Sequence, residues 1–351
     1  LPFPTALSSG PLSRDGATIR KAAQQHGVGA VFTKTIMEKY EDTPRPSMAT
    51  VKGGLLNYDW QAPGISEFSE RELRIAKEGG KPVIANALGL TVDASVKLAA
   101  ALEKAGADMF ELPVPAAPLK ELTETVKAVR EAISIPFIVK LGPDIPDIPK
   151  YARAIESVGV DAISGINTFG PCLSIDVYTG KPLLGAKSGY GYLSGSAIKP
   201  LAVRCVAEMA MAVRIPVLGG GGISNGEDSI EMFMAGATCV HLHTAALLRG
   251  LGVFSKIVNE LEEFMKKMGY RSLDDIRGIS LKYLRKEATY TLFPAKVEAE
   301  LCNGCGACER VCAYDAVKVV EGIAQIDEEA CFGCGLCKSI CPTRAITLHK
   351  R

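Results

Sequence analysis

The sequence predicts an α/β chain. A (β/α)8 TIM barrel spans residues 1–269, a connecting segment spans 270–296, and a small α+β domain spans 297–351. Three observations carry this reading. Short apolar runs alternate with amphipathic helical patterns through the first part. Polar residues collect just past the C-terminal ends of those runs. In the last part the alternation stops, and eight cysteines appear as two equal groups.

In chain order, the expected strands are Phe3–Leu7, Gly29–Thr33, Pro82–Ala87, Asp108–Leu112, Pro136–Leu141, Asp161–Ile166, Ile215–Leu218 and Thr238–His243. Most are near-continuous apolar runs, the signature of strands buried on both faces. Amphipathic helices are expected between them at Glu67–Glu78, Ala94–Ala105, Leu119–Ile133 and Ser229–Ala235. Gly27, Gly106, Gly159 and Gly236 stand where helices end, ready for the left-handed turn that closes them. Asn225, three residues before Asp228, is a candidate N-cap. Eight such strands point to a closed barrel; an open doubly wound sheet is the alternative. A barrel gathers functional groups at the C-terminal ends of many strands, and Lys34, Asn86, Lys140, Asn167 and Gly219–Gly222 all stand at such ends. Tyr270–Lys296 is charged and less regular, which fits a connection.

Composition narrows the functional classes. The 47% hydrophobic content suffices for a large core, and the net charge of +1 offers no basic surface for nucleic acid. No stretch of about 20 residues is both apolar and uncharged, so no membrane span is expected. Leu1–Gly10 lacks a basic segment followed by an apolar run, so a secretory signal is not expected either. The sequence opens on Leu1 and not on methionine, which leaves the natural start open. Cys172, Cys205 and Cys239 are isolated from one another and fit a reducing cytoplasm.

The strand ends suggest a cofactor site. Gly219–Gly222 directly follows the seventh expected strand, and His243-Thr244-Ala245 follows the eighth. Loops after these two strands commonly form a phosphate site; the plainer reading of the glycines is a flexible turn. Lys34 and Lys140 would place positive charge at the barrel mouth beside Asn86 and Asn167, which offer donor and acceptor together. Taken singly, each lysine reads as a solvated cap. His241 and His243 share a strand face; His243 is the better placed to approach a cofactor, and His241 reads as a structural histidine.

The tail carries Cys302, Cys305, Cys308 and Cys312, then Cys331, Cys334, Cys337 and Cys341, both with the spacing C-x2-C-x2-C-x3-C. Zinc sites show separated pairs instead of such triplets, and disulfide frameworks suit short secreted chains. Gly304, Gly306, Gly333 and Gly335 let the backbone approach inorganic sulfide closely. The region resembles a bacterial-type two-cluster ferredoxin. That resemblance implies two [4Fe–4S] clusters, with the fourth cysteine of each run serving the other cluster. One cluster would take Cys302, Cys305, Cys308 and Cys341, and the second Cys331, Cys334, Cys337 and Cys312. Ala313 stands where proline often follows the fourth cysteine.

The barrel carries a second resemblance. The matching segments include Ser8-Ser9-Gly10, Val31-Phe32-Thr33-Lys34-Thr35, Pro44-Arg45-Pro46, Val139-Lys140, Asn167-Thr168, Gly191–Gly195, Ala197–Pro200 and Ser272–Gly278. Together they resemble the dihydroorotate dehydrogenase superfamily, most of all the flavin-plus-cluster half of dihydropyrimidine dehydrogenases. The resemblance implies FMN. Ser9, Gly10, Lys34, Asn86 and Lys140 would contact its ring and ribityl chain, and Gly195, Gly220, Gly221, Thr244 and Ala245 its phosphate. Asn57 would bind substrate, and Asn167 with Thr168 would reach both flavin and substrate. Family members form homo- or hetero-oligomers, so an assembly is expected.

One segment departs from the family. After the fourth strand the family carries Asn-x-Ser-(Cys or Ser)-Pro-Asn, which includes substrate-reading amides; its catalytic acid or base lies in this region or in a later loop. Here the segment reads Glu111–Pro118, with Pro113 and Pro118 for the asparagines and Ala116 for the Cys or Ser. A site stripped of its hydrogen bonds to a polar ring changes its substrate. Cys172, on the long segment Phe169–Gly191 with Tyr178, Lys187 and Tyr190, is the candidate replacement acid or base, and the segment itself a candidate lid. A lone cysteine is otherwise a small buried hydrophobe.

The resulting expectation is an oxidoreductase acting on a CH–CH or C=C bond of a small cyclic or unsaturated substrate. No G-x-G-x-x-G opens a strand-to-helix turn, so electrons would be exchanged with an NAD(P)H-oxidising flavoprotein subunit or a ferredoxin. The alternative is a non-catalytic electron-transfer subunit of a larger complex.

Overall fold

The computed structural model describes residues 2–58, 62–66, 68, 70–284 and 292–348. The chain divides into two compact units, Leu1–Leu284 and Arg285–Arg351.

In the first unit, eight parallel strands close a barrel: Thr5–Leu7, Ala30–Phe32, Val83–Asn86, Met109–Pro113, Phe137–Leu141, Ala162–Gly165, Val217–Gly220 and Cys239–Leu242. Each pairs with its sequence neighbours, and Thr5↔Val240 joins the first to the eighth. All eight expected strands are present; each starts later than expected, and Met109–Pro113 and Val217–Gly220 run one and two residues past the expected end. The apolar runs follow from this position, because each strand faces helices outside and the barrel lumen inside. Phe110, Phe137, Val139 and Phe233 are fully buried in the outer layer.

The helices start and stop for local reasons. Val92–Lys104 opens where the Thr91 hydroxyl accepts from Ala94 N–H, and Gly226–Met234 where the Asn225 side chain accepts from Asp228 N–H. Gly106 and Gly236, with φ of 97° and 104°, turn the chain out of two helices in the left-handed region. Leu119–Ala132 matches its expected range within a residue. Glu70–Lys77 starts later than expected, and Glu67 lies outside the described residues.

Two features depart from the sequence reading. The segment Phe169–Gly191, expected as an irregular lid, contributes to a four-stranded antiparallel sheet. Its order is Met48–Val51, Gly54–Asn57, Gly191–Ser194, Phe169–Cys172. Met48–Val51 and Phe169–Cys172 alternate exposed and half-buried residues, and Gly54–Asn57 and Gly191–Ser194 are four residues long and open on glycine, so none shows the longer apolar run that reveals a barrel strand. The expected connector 270–296 also divides. Ile276 is fully buried, Leu273 and Leu281 pack on the barrel core, and Gly278 N–H donates to the Phe233 carbonyl at 2.9 Å. Three apolar side chains hold this stretch to the first unit despite its charge. At the other end, Ala295–Val297 pairs with Ile346–Leu348 inside the second unit.

Among its described residues the second unit has two short antiparallel pairs, a 3-10 turn at Ala299–Leu301 and two short helices, Ala307–Val311 and Leu336–Ile340. Each helix follows a glycine in the left-handed conformation, Gly306 and Gly335.

Candidate functional site

The barrel lumen changes character along its axis, and period-two geometry explains how. Ala6, Phe32, Ile84, Met109, Ile138, Ala162, Leu218 and Cys239 fill one end as an apolar plug. Two residues further along each strand, on the same face, stand Ser8, Lys34, Asn86, Glu111, Lys140, Ser164, Gly220 and His241. Every strand therefore moves from an apolar or small residue to a polar group or glycine. Asn86 and Glu111 are each 1% exposed.

Above this layer lies a cavity of about 360 Å³. Of the residues expected at a cofactor site, Ser9, Lys34, Asn86, Lys140, Gly195, Gly221 and Thr244 line it. Of those expected to meet substrate, Asn57, Asn167 and Thr168 line it too. The four-stranded sheet delivers Asn57 and Tyr192, which are directly paired across it.

Four expected residues stand elsewhere. Gly10 and Gly220 do not line the cavity; a Cβ on either would collide with the ring of His243 or His241. Their smallness makes room for the histidines. Ala245 is buried behind the wall. Cys172 is also outside the lining, with its thiol 3.6 Å from the Phe169 carbonyl. Pairing of Phe169–Cys172 into the sheet holds it there.

The histidines divide their roles. His241 Nδ1 lies 3.0 Å from Ser8 Oγ and Nε2 lies 3.2 Å from Ser164 Oγ. Burial, with the Lys140 ammonium adding to it, pushes its pKa down to about 3, so the ring is neutral. His243 Nδ1–H donates to the Ser8 carbonyl at 2.8 Å, and its Nε2 accepts from Leu12 N–H at 3.5 Å. Both line the cavity.

Several lining groups were not anticipated. Pro113, Val114 and Pro115 form an apolar stretch of wall, while Ala116 is exposed and outside it. Asp144, on the loop after the fifth barrel strand, is an exposed carboxylate in the lining. Glu111 sits just beneath: its Oε2 accepts from Asn86 Nδ2 at 2.5 Å. Glu111 Oε1 and Asn86 Oδ1 are buried without a partner. An orphaned buried acceptor costs stability unless a ligand meets it, so this layer fits an organic cofactor bearing N–H donors. At Gly195, Gly221 and Gly222, φ values of 93°, 115° and 82° leave backbone with no Cβ along the lining, as a phosphate cradle requires.

In the second unit the thiols surround two small voids. One is lined by Cys302, Cys305, Cys308 and Cys341; the other by Cys312, Cys331, Cys334 and Cys337. Each run thus lends its fourth cysteine to the other void. Among the described residues no three such groups converge as one ion would need. Thiols spread around a void suit a cubane cluster instead.

These two units define an iron–sulfur oxidoreductase with an organic cofactor in its barrel. The comparisons make that specific: residues 1–265 match the dihydroorotate dehydrogenase family, and residues 301–345 match the 4Fe-4S dicluster domain. The chain belongs to the dihydroorotate dehydrogenase family. Among its relatives is the catalytic subunit of dihydroorotate dehydrogenase B (NAD(+)) from Methanosarcina mazei, 39% identical over 79% of this chain and 91% of the relative. The same subunit from Methanothermobacter thermautotrophicus is 35% identical over 79% and 94%. That from Pyrococcus abyssi is 36% identical over 80% and 95%. The family binds FMN, and the tail carries two [4Fe–4S] clusters. Among the described residues no helix is long and apolar enough to cross a membrane.

Proposed function

We propose that the protein oxidises or reduces a carbon–carbon bond in a small cyclic substrate with one polar edge and one apolar edge. It would exchange the electrons with a partner through its two clusters. The observation that carries this reading is the wall Pro113-Val114-Pro115, at the position where the family reads its pyrimidine by hydrogen bonds. Asn57, Asn167 and Thr168 remain in the same cavity to bind the polar edge. A ring less polar than dihydroorotate, or than the dihydropyrimidines of the enzymes the sequence also resembles, fits this combination.

Bound FMN supplies two-electron exchange with substrate and one-electron exchange with the clusters. The chain does the rest. Ser9, Lys34, Asn86 and Lys140 hold and polarise the flavin; Glu111 fixes the Asn86 amide. Gly195, Gly221 and Thr244 receive the phosphate, with Gly10, Gly220 and Ala245 shaping the space behind. The eight thiols hold the clusters in the crossed sets that surround each void. Asp144, a residue of the cavity lining, would exchange a proton with the substrate carbon in place of Cys172, which is outside that lining. Chains named as catalytic subunits work beside other subunits, and this one would take electrons from a flavoprotein subunit or a ferredoxin. Cys172, Cys205 and Cys239, the three cysteines outside the cluster sets, suit a reducing cytoplasm.

The test is direct. Anaerobically reduced holoprotein is mixed with unsaturated ring compounds of graded polarity, and recovery of the flavin band is followed. Reoxidation by orotate at a rate matching the best apolar-edged compound would defeat the reading. NADH alone should reduce the flavin slowly. A second reading, electron relay without catalysis, is favoured by the exposed Ala116. Asn167→Ala separates the two: a relay keeps its electron flux, whereas the enzyme loses turnover with FMN still bound.

A further inference from the structure

The two cysteine runs are repeats, so each residue of one has an equivalent in the other. Asn303, directly after Cys302, corresponds to Phe332, directly after Cys331. Tyr314, two residues after Cys312, corresponds to Thr343, two residues after Cys341. Because the fourth cysteines cross over, these four residues sort by chemistry. Asn303 and Thr343 line the void of Cys302, Cys305, Cys308 and Cys341. Phe332 and Tyr314 line the other. The two aromatic rings stack there, with centroids 4.9 Å apart and planes 16° from parallel.

The surroundings repeat this contrast. At the polar void, the Thr343 hydroxyl lies 3.6 Å from Cys341 Sγ, and Asn303 Oδ1 accepts from Cys305 N–H at 3.3 Å. One of its four thiols, Cys308, is buried. At the aromatic void, Cys331 and Cys337 are both buried, and Val311, Leu336 and Leu348 complete an apolar wall. Cys331 Sγ accepts one backbone donor, Ala295 N–H at 3.4 Å. Val319, Ala324, Ala345 and Ile346 line the first void as well, so both are largely apolar and each has a sulfur-directed donor; the difference lies at the equivalent positions, the Thr343 hydroxyl and Asn303 amide at one and the Tyr314 and Phe332 rings at the other.

We propose that the two clusters differ in potential, the one held by Cys302, Cys305, Cys308 and Cys341 being the more easily reduced. Reduction adds one negative charge to a cluster that already carries thiolate charge. Hydrogen bonds, nearby dipoles and water stabilise that charge, and an apolar aromatic wall does not. One electron leaves the reduced cluster at the aromatic site and enters the oxidised cluster at the polar site, with no bond or proton changing hands. Electrons entering the pair come to rest near Thr343, which gives the relay a direction. This inference rests on the two-cluster tail and stands or falls independently of the substrate.

The test is an EPR-monitored redox titration of the holoprotein, with iron and sulfide content measured first. The wild type should reduce in two resolved steps. Thr343→Val should move only the higher step downward, by about tenfold in its equilibrium constant, or about 59 mV for one electron. Thr343→Ser should restore it. Phe332→Asn should move only the lower step upward. A single unresolved step in the wild type would overturn the proposal. So would a Thr343→Val protein of full iron content whose potentials are unchanged, or a Thr343→Val shift in the lower step.

Discussion

The two units of this chain reach a stable shape by different means. The barrel is built on large apolar side chains: Phe110, Phe137, Phe233 and Phe254 are all fully buried. The tail's buried core is Ala295, Cys308, Ala316, Val317, Ala324, Cys331, Cys337 and Ile346. Three of those eight are thiols, and none of the other five is larger than isoleucine. A small unit with so little to bury needs a covalent or metal staple. The barrel can thus stand as a shaped receptor that FMN enters, whereas the tail's folding is coupled to cluster assembly.

The strongest test of this contrast is to remove iron. A chelator under mild oxidation should strip the clusters and leave 292–348 open to protease, while the barrel keeps its flavin and resists. Limited proteolysis with FMN quantified in the surviving fragment reads both halves at once; a tail that stays resistant without iron would erase the distinction. Next in size is a cavity in the barrel. Phe110 packs on Phe137 with centroids 5.7 Å apart, and Phe110→Ala should cost the barrel about 3–5 kcal/mol. The flavin-release temperature should fall while the cluster absorbance keeps its own midpoint.

His241 adds a pH dependence belonging to the barrel alone. Its pKa is about 3 when folded against an ordinary 6.5, so between those values the unfolded chain binds a proton that the folded barrel refuses. The contribution is full above about pH 6.5 and falls as pH drops toward 3. At pH 5 the loss is on the order of 2 kcal/mol. His241→Asn should flatten the fall in flavin-release temperature between pH 7 and 5; an unchanged slope would remove His241 as its cause. The smallest effect belongs to the layer under the cavity. Glu111→Ala removes the acceptor of the Asn86 amide and should cost about 1 kcal/mol. It should appear chiefly as weaker FMN retention in equilibrium dialysis.

How much was legible beforehand follows the same division. Lys34, Asn86 and Lys140 could be found because each interrupts or ends an apolar run, and a polar residue there is conspicuous. Glu111 stood in an equally apolar run, Met109–Pro113, but its significance depends on Asn86 of the neighbouring strand. Cys172 stands outside the cavity lining, because sequence distance from Asn167 says nothing about the sheet into which Phe169–Cys172 pairs. Gly10 and Gly220, expected as cofactor contacts, have a second reason to be glycine that the sequence does not show: a Cβ on either would meet the ring of His243 or His241. Asp144 gave no signal in a loop of ordinary turn residues, since only position makes it part of a wall.

What the sequence determined by itself was periodic or repeated: the eight apolar strands, the helix ends and the two cysteine runs. Such patterns are local, because strand burial, helix capping and loop-borne thiols each act over a few neighbouring residues. The tertiary structure alone decided which side chains meet: Asn86 with Glu111, His241 between two serines, Thr343 beside one set of thiols and Tyr314 beside the other. Those meetings depend on barrel closure and on a crossover between repeats. Both join residues far apart in the chain, through burial and register that no short stretch encodes.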